Sequence, residues 1–367
     1  MPSFIHTADI HLDTPFHARF TPEEAMLRRK EVMQTFERIC QEAKQKDLLL
    51  IAGDLVNGRF LSGEIVAFLQ RCFSSIPDTQ VILVAGNHDP MTDESCFLTQ
   101  TWGDNVHIFG REMEYIDFPL LKTRIHGRSF SSQHQEETLL TPLTLEKDWC
   151  NILVMHGDVV SDGGESAYNP IEKSALAQSG VDYAALGHIH LSGGLNRAGT
   201  VYYAYPGIPE GRGFSEEGLR GYFAGTVEKG FVDATWIPVC KRQFLAEQVD
   251  LFNCRDSIEA VHCARQLIES KGHEHCYRIT FTGNISFIMP QTSVLCEQLK
   301  DDCFSLEVID ETRPAYDLEE LRKENTLRGA FVQEMLNEIS RMPEAERARG
   351  ELALMYGLEA MERGRLS

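Results

Sequence analysis

The sequence predicts a layered α/β sandwich, followed by a small α/β domain and a helical C-terminal tail. Three observations carry that expectation. Short apolar runs between Ser3 and His190 end again and again in His, Asp, Gly or Asn; helix-length stretches separate the first three of them; and the composition shifts near Pro238. At 367 residues the chain also exceeds one ordinary core, since domains cluster at about 100 to 200 residues.

The apolar runs come first because they place everything else. Residues 3–8 run into Asp9, residues 48–52 into Gly53-Asp54, and residues 81–85 into Gly86-Asn87-His88-Asp89. Further on, residues 151–155 run into His156-Gly157-Asp158, and residues 183–186 into Gly187-His188-Ile189-His190. Runs of this length rich in β-branched residues and leucine read as buried strands, and polar groups at strand ends sit where a sheet presents ligands. Residues 22–46 and 62–73 read as helices long enough to cross over between parallel strands, so the opening is βαβαβ. From Val106 the pieces shorten, with strands expected at 106–109, 124–126, 201–204 and 222–227.

Past Pro238, residues 244–251, 277–281 and 304–309 read as strands alternating with helices at 257–270 and 292–301. Beyond Pro314 the pattern turns helical. Leu327, Phe331, Met335 and Ile339 make one stripe, and a second helix follows Pro343. The expected domains are therefore 1–238, 239–313 and 314–367.

Composition narrows the function classes. Thirty-five basic against 55 acidic residues give a net charge of −20, which repels a phosphate backbone unless cations gather on one face. A simple DNA-coating protein is disfavoured. Ten cysteines stand singly, with no paired spacing, and read as free thiols of a reducing compartment. The start lacks a basic and then apolar leader, and no apolar run approaches the roughly 18 residues of a membrane span, so a cytoplasmic location is expected.

The strand-end fragments supply Asp9-x-His11, Gly53-Asp54, Gly86-Asn87-His88, His156-Gly157 and Gly187-His188-x-His190 in chain order. Any one is weak, because a lone Asp-x-His is commonly a turn or cap and a lone His a hydrogen-bonded structural residue. Together they match a chemical need. Cleaving a phosphate ester with two divalent cations about 3.5–4 Å apart takes a carboxylate that bridges them, with His, Asp and a neutral oxygen filling each shell.

The fragments DIH, GD, GNHD, HG and GHIH resemble the five blocks of the calcineurin-like metallophosphoesterases over roughly residues 1 to 230. The resemblance implies a metallophosphoesterase sandwich in which Asp9, His11, Asp54 and His190 hold one metal. Asp54, Asn87, His156 and His188 would hold the other, with His88 as the acid that acts on the phosphoryl group or its leaving oxygen. HTADIHLDTPF, ALGHIH and YPGIPEGRGFSEEGLRGY look like the SbcD and YhaO group of DNA repair exonucleases, and the tail segments TLRGAFVQEML and ALMYGLEAMERGR resemble the YhaO type. That branch implies DNA as substrate and a coiled-coil ATPase of the SMC kind as partner; a homodimer is a further expectation.

Two divalent ions are expected, Mn²⁺ or Fe²⁺, because the donors are too nitrogen-rich for Mg²⁺ or Ca²⁺ and lack thiolate. One residue departs from the pattern: relatives often carry Asp or His three positions after the bridging carboxylate, where this chain has Asn57. Asn accepts an imidazole N–H but cannot stabilise imidazolium with a charge.

Asp13, Asp89 and Asp158 flank the ligands as partners for imidazoles or as turn caps. Arg212, in a Gly-Arg-Gly loop, is a phosphate contact or a surface arginine. Arg111, Lys122, Arg124 and Arg128 form the one locally basic stretch, read as a solvated face in preference to a nucleic-acid track. The rival readings are a phosphatase or phosphodiesterase of small molecules and a scaffold subunit that keeps its metals for stability.

Overall fold

The computed structural model describes residues 1–58 and 61–363 and divides into two units, Met1–Leu245 and Ala246–Ser367. The first unit opens with β1 (Ser3–Thr7), α1 (Pro22–Ala43), β2 (Leu48–Ala52), α2 (Gly63–Ser74) and β3 (Gln80–Val84), the three strands paired in parallel. β2 is buried along its whole length, as an unbroken apolar run between two layers demands. α1 begins where Thr21 and Glu24 form a reciprocal capping box with Pro22 behind it, which satisfies orphan N–H groups at the helix start. Phe36 of α1 meets Phe68 and Phe73 of α2, so the two crossovers form one layer.

A short α3 (Cys96–Thr99) leads to β4 (Val106–Ile108), parallel to β3. The second sheet follows. β5 (Glu114–Phe118) and β6 (Thr123–Gly127) are antiparallel, and β7 (Cys150–His156) lies parallel to β6. After the short ladder of β8 (Val159–Val160) and β9 (Ile171–Glu172) come α4 (Lys173–Gln178), β10 (Tyr183–Gly187), β11 (Leu195–Ala198) and β12 (Val201–Ala204). β10 is parallel to both β7 and β12. β13 (Gly221–Glu228) and β14 (Phe231–Pro238) then return antiparallel to the first sheet beside β1.

The sheet orders are β14-β13-β1-β2-β3-β4 and β11-β12-β10-β7-β6-β5. Between them lies a core of Phe4, Leu48, Leu50, Ile82, Ile152, Val154, Tyr183 and Phe223, contributed by both sheets. A second cluster, with Leu153, Met155, Leu176 and Leu186, covers the other face of β7 and β10. The layers are thus α, β, β and α, the expected sandwich. The parallel strands of both sheets end at one edge, where the polar fragments stand.

One ionic network is buried in this unit. Arg28 of α1, fully buried, donates to Glu31 at 2.7 Å, to Glu210 at 2.9 Å and to the Gly211 carbonyl at 2.9 Å. Thr35 donates to Glu210 at 2.7 Å, and Arg242 pairs with Glu31 at 2.7 Å. These bonds fasten α1 to the segment that carries Arg212.

The second unit holds most of β15 (Phe244–Asp250), then α5 (Ser257–Lys271), β16 (Cys276–Thr282), β17 (Asn284–Ile285), α6 (Thr292–Leu299), β18 (Ser305–Asp310) and β19 (Arg313–Pro314). β15, β16 and β18 form a three-stranded sheet. α7 (Leu318–Leu321), α8 (Leu327–Arg341) and α9 (Glu344–Arg363) complete it, packed through Leu321, Val332, Ile339, Leu354 and Leu358. The expected stripe is only partly internal: Leu327 is 79% exposed, whereas Phe331, Met335 and Ile339 join that cluster. Leu352, Tyr356 and Met361 stay exposed on α9. Residues 364–367 of the expected tail lie outside the described residues.

Replacing Arg28 with Met should lower stability by about 3–5 kcal/mol, because Glu31 and Glu210 would lose their shared cation while buried. Urea titration measures this. A loss under about 1 kcal/mol would show that the network contributes little.

Candidate metal centre

The site is built at the ends of five parallel strands. Asp9 and His11 follow β1, Asp54 follows β2, Asn87 and His88 follow β3, His156 ends β7, and His188 and His190 follow β10. Backbone bonds tie the loops together: Asp9 N donates to Gly53 O at 3.1 Å and His11 N to Asp54 O at 3.0 Å. Asp9, His11, Asp54 and His188 all have positive φ, at 53°, 49°, 51° and 104°. Such backbone costs non-glycine residues of order 1–3 kcal/mol each and gathers at functional sites.

Glycine is required at two of the turns. A Cβ on Gly86 would lie 2.3 Å from Asp54 Oδ1, and one on Gly187 would lie 1.9 Å from Ala52 O. These are the close approaches that a side chain would forbid.

Every candidate ligand is brought together. His11 Nε2 lies 3.3 Å from His190 Nε2 and 3.8 Å from Asp54 Oδ2, and His190 Nε2 lies 3.8 Å from Asp9 Oδ1. His156 Nε2 is 3.0 Å from Asn87 Oδ1 and 3.5 Å from Asp54 Oδ2, and His188 Nδ1 is 3.3 Å from Asn87 Oδ1. Donor atoms of Asp9, His11 and His190 converge within 4.8 Å of one another, as do those of Asp9, Asp54 and His156. His88 converges in the same way with His11 and Asp54, so by distance alone it too is within ligand reach.

The proton inventory says what such a cluster lacks. His156 Nδ1–H donates to the Ala52 carbonyl at 2.9 Å, and its Nε2 faces Asn87 Oδ1 and Asp54 Oδ2. His190 Nδ1–H donates to Glu216 at 2.7 Å, and its Nε2 faces Asp9 and His11 in the same way. Asp9 and His156 are fully buried, and His11 and Asp54 are 1% exposed. Lone pairs crowded together away from water are reconciled by cations, and mixed nitrogen and oxygen donors without thiolate suit hard or borderline divalent metals. The residues fit.

Electrostatics agree. Burial pushes Asp9 above the usual carboxylate range, against the pull of His156 and His190. Burial and then Arg212 hold His11 well below the ordinary imidazole value, and burial with His156 brings His188 down to about 4. His156 rises, because Asp54 and Asp9 outweigh its burial.

The flanking residues divide. Asn57 Oδ1 accepts from His88 Nδ1–H at 2.9 Å. Asp89 caps turns, accepting from Gly86 N at 2.7 Å and Val56 N at 3.1 Å, and burial followed by Asp54 raises it to about 7. Asp158 stands 3.6 Å from His188 Nε2. Arg212 is no free surface arginine but pairs with Glu216 at 2.9 Å. Two of the four cations of the basic stretch are paired with carboxylates, Arg111 with Asp93 and Arg124 with Asp117 at 2.7 Å, while Arg128 donates to the Arg111 carbonyl at 2.8 Å.

Sequence reasoning passed over Glu216, Arg220 and Asn169. Glu216 is 6% exposed; Arg220 donates to His190 O at 3.2 Å; Asn169 donates to His156 O at 2.7 Å. The first two lie inside the segment YPGIPEGRGFSEEGLRGY, whose resemblance to the exonuclease branch was the available signal.

Comparison with known proteins adds to this geometry. The family model for calcineurin-like phosphoesterases matches residues 2–192, just over half of the chain. The chain is similar to the metallophosphoesterase YhaO of Bacillus subtilis, 28% identical over 300 residues that cover 77% of this chain and 72% of that one. It is 25% identical to the DNA double-strand break repair protein Mre11 of Methanopyrus kandleri over 63% of this chain and 56% of that one. With the SbcD component of the SbcCD nuclease of Staphylococcus epidermidis it shares 23% identity over 57% of this chain and 64% of that one. Among the described residues, no helix is long and apolar enough to cross a membrane.

Gly86→Ala should weaken Mn²⁺ binding by at least about tenfold, since the added methyl displaces the Asp54 carboxylate. Calorimetric titration with Mn²⁺ reads this directly. Unchanged affinity in a folded variant would show that Asp54 is not held against that turn for metal binding.

Proposed function

Because the chain belongs to the calcineurin-like phosphoesterase family, we propose that it is a two-metal phosphodiesterase that cuts DNA in repair and works in the cytoplasm. The observation that carries the reading is the convergence of seven donors where strands of both sheets end, with a hydrogen-bonded imidazole and a guanidinium beside them. Asp9, His11, Asp54 and His190 would hold one divalent ion, and Asp54, Asn87, His156 and His188 the other. When bound, Mn²⁺ or Fe²⁺ supplies charge neutralisation at the phosphate and activation of water.

The protein's own groups do the rest. His88, with its Nδ1–H fixed on Asn57, delivers a proton from its other nitrogen to the leaving oxygen. Arg212 binds a non-bridging phosphate oxygen; its charge already reaches both His11 and His88, depressing each. Its guanidinium lies 3.1 Å from His190 Nδ1. The names of Mre11 and of the SbcCD nuclease support DNA as substrate. Ten free thiols suit a reducing compartment.

Residues 1–238 would form the nuclease domain, 239–313 a capping domain, and 314–367 the element that docks a coiled-coil ATPase, through the apolar residues exposed on α9. A homodimer is a further expectation. A second reading, hydrolysis of small diesters, is favoured by the pairing of Arg111, Arg124 and Arg212 with carboxylates in a chain of net charge −20.

With Mn²⁺, the purified chain should shorten labelled linear DNA and hydrolyse bis-p-nitrophenyl phosphate. His88→Ala should lower both rates by about 10²-fold or more and still bind Mn²⁺. Diester hydrolysis without DNA shortening selects the second reading, and inactivity with every divalent metal leaves a scaffold. In the same assay, removing residues 325–367 should spare diester hydrolysis and abolish capture of the ATPase; lost hydrolysis would make the tail part of the fold.

A pH profile tests the role of Asn57. Burial lowers the His88 pKa and Arg212 adds to this, while Asp54 opposes it, so the protonated acid is scarce at neutral pH. A carboxylate at position 57 favours imidazolium and raises that pKa. Asn57→Asp should therefore carry the alkaline limb of kcat to higher pH; a limb that stays in place or moves down would remove His88 from the role of acid.

A further inference from the structure

We propose that Glu216 is a positioning residue shared by the metal site and the phosphate-binding cation, an inference that rests on the phosphodiesterase reading above. Its carboxylate collects three donor groups. Oε1 accepts from His190 Nδ1–H at 2.7 Å and from Arg212 Nη2 and Nε at 2.9 and 3.2 Å, while Oε2 accepts from the Arg212 backbone N–H at 2.7 Å.

Each bond has a separate consequence. An ionised carboxylate only accepts, so it holds the His190 proton on Nδ1 and leaves the Nε2 lone pair facing Asp9 and His11. The same oxygen fixes the Arg212 fork, and its charge offsets that of the guanidinium. Without it, Arg212 Nη2 would sit 3.1 Å from His190 Nδ1 with two donors opposed.

Glu216 is itself held in place. It is 6% exposed, and Arg220 ties its backbone carbonyl, at 3.2 Å, to the carbonyl of His190, also at 3.2 Å. On the far side of Arg212, Glu210 and Gly211 are fastened to Arg28 of α1. The loop therefore presents one carboxylate at a fixed place between two functions. Glu217, beside it in the chain, is exposed.

Three variants of the full-length chain separate this role from that of a plain structural ion pair. Mn²⁺ alone is titrated by calorimetry, and inorganic phosphate is measured as an inhibitor of bis-p-nitrophenyl phosphate hydrolysis. Glu216→Gln should weaken Mn²⁺ binding by about 10- to 100-fold and phosphate inhibition by about tenfold. Arg212→Gln should weaken phosphate inhibition alone, with Mn²⁺ affinity equal to or above that of the parent, since a nearby cation has gone. Glu217→Gln should change neither.

Unaltered Mn²⁺ affinity in Glu216→Gln overturns the proposal, and so does Arg212→Gln weakening Mn²⁺ as strongly as Glu216→Gln. Should Glu216→Gln not fold, Glu216→Asp replaces it: the charge remains, but a side chain shorter by one methylene cannot span both partners, so Mn²⁺ affinity should still fall several-fold, and unchanged affinity counts against the proposal. A parent chain that binds Mn²⁺ but hydrolyses no diester defeats the phosphodiesterase reading, while the metal titrations still judge Glu216.

Discussion

Asp9 and Asp54 carry buried carboxylates to one edge of the sheets, and four imidazoles, two of them partly exposed, and an amide oxygen press in beside them. Hydrogen bonds at the back of His156 and His190, to Ala52 O and Glu216, commit their protons away from the cluster. The front of the cluster is then two carboxylates, an amide oxygen and imidazole Nε2 atoms facing one another, eased by main-chain N–H bonds from His188 to Asp9 and from His88 to Asp54. An isolated buried carboxylate costs several kcal/mol even after relaxation, and neighbouring acceptors return nothing. Much else in the first unit follows from holding this arrangement against its own repulsion: two sheets ending at one edge, loops stitched by main-chain bonds, and outer partners such as Ala52 O and Glu216 that orient His156 and His190.

The backbone shares the cost. Four of the residues that converge there adopt positive φ without being glycine, and their neighbours Gly86 and Gly187 leave no room for a methyl group. Strain of that kind persists only where surrounding structure over-determines it. Here the over-determination comes from dry parallel strands buried on both faces, whose ends cannot shift without breaking the core between the sheets. Stability is thus spent at the edge and recovered in the layers, the division of labour expected when a rigid scaffold presents reactive loops.

Much of this was legible in the chain because burial and chemistry change abruptly at the same positions. Apolar runs such as residues 48–52 coincide with β2, and the fragments that follow them supply the donors now found together. What stayed hidden depends on contacts distant in sequence. Glu216 and Glu217 are identical letters side by side, and only tertiary packing buries one of them. The basic stretch looked like a face of its own, yet Asp93 and Asp117 neutralise Arg111 and Arg124. Strands β11 and β14 escaped notice because edge strands, half-exposed, mix polar and apolar residues without the unbroken apolar signal of β2. In the tail, helical spacing placed Leu327 on the apolar stripe of α8, but a stripe does not say where a helix stops touching its neighbour, and Leu327 at the first turn lies beyond the contact.

The excess of acid bears on the choice of substrate, and distance decides how much. At physiological ionic strength exposed charges are screened beyond about 8 Å, so most of the net −20 is not felt at the sheet edge. What acts there is local: Glu216 balances Arg212, and two divalent ions held as proposed would outweigh Asp9 and Asp54 and make the centre attractive to one phosphate. A polyanion is different, because each further phosphate must lie over surface where Arg111 and Arg124 are already paired with carboxylates. The proposed cut would therefore be served equally for a small diester and for DNA, and what would separate the two is how many phosphates the surface must accept beyond the first.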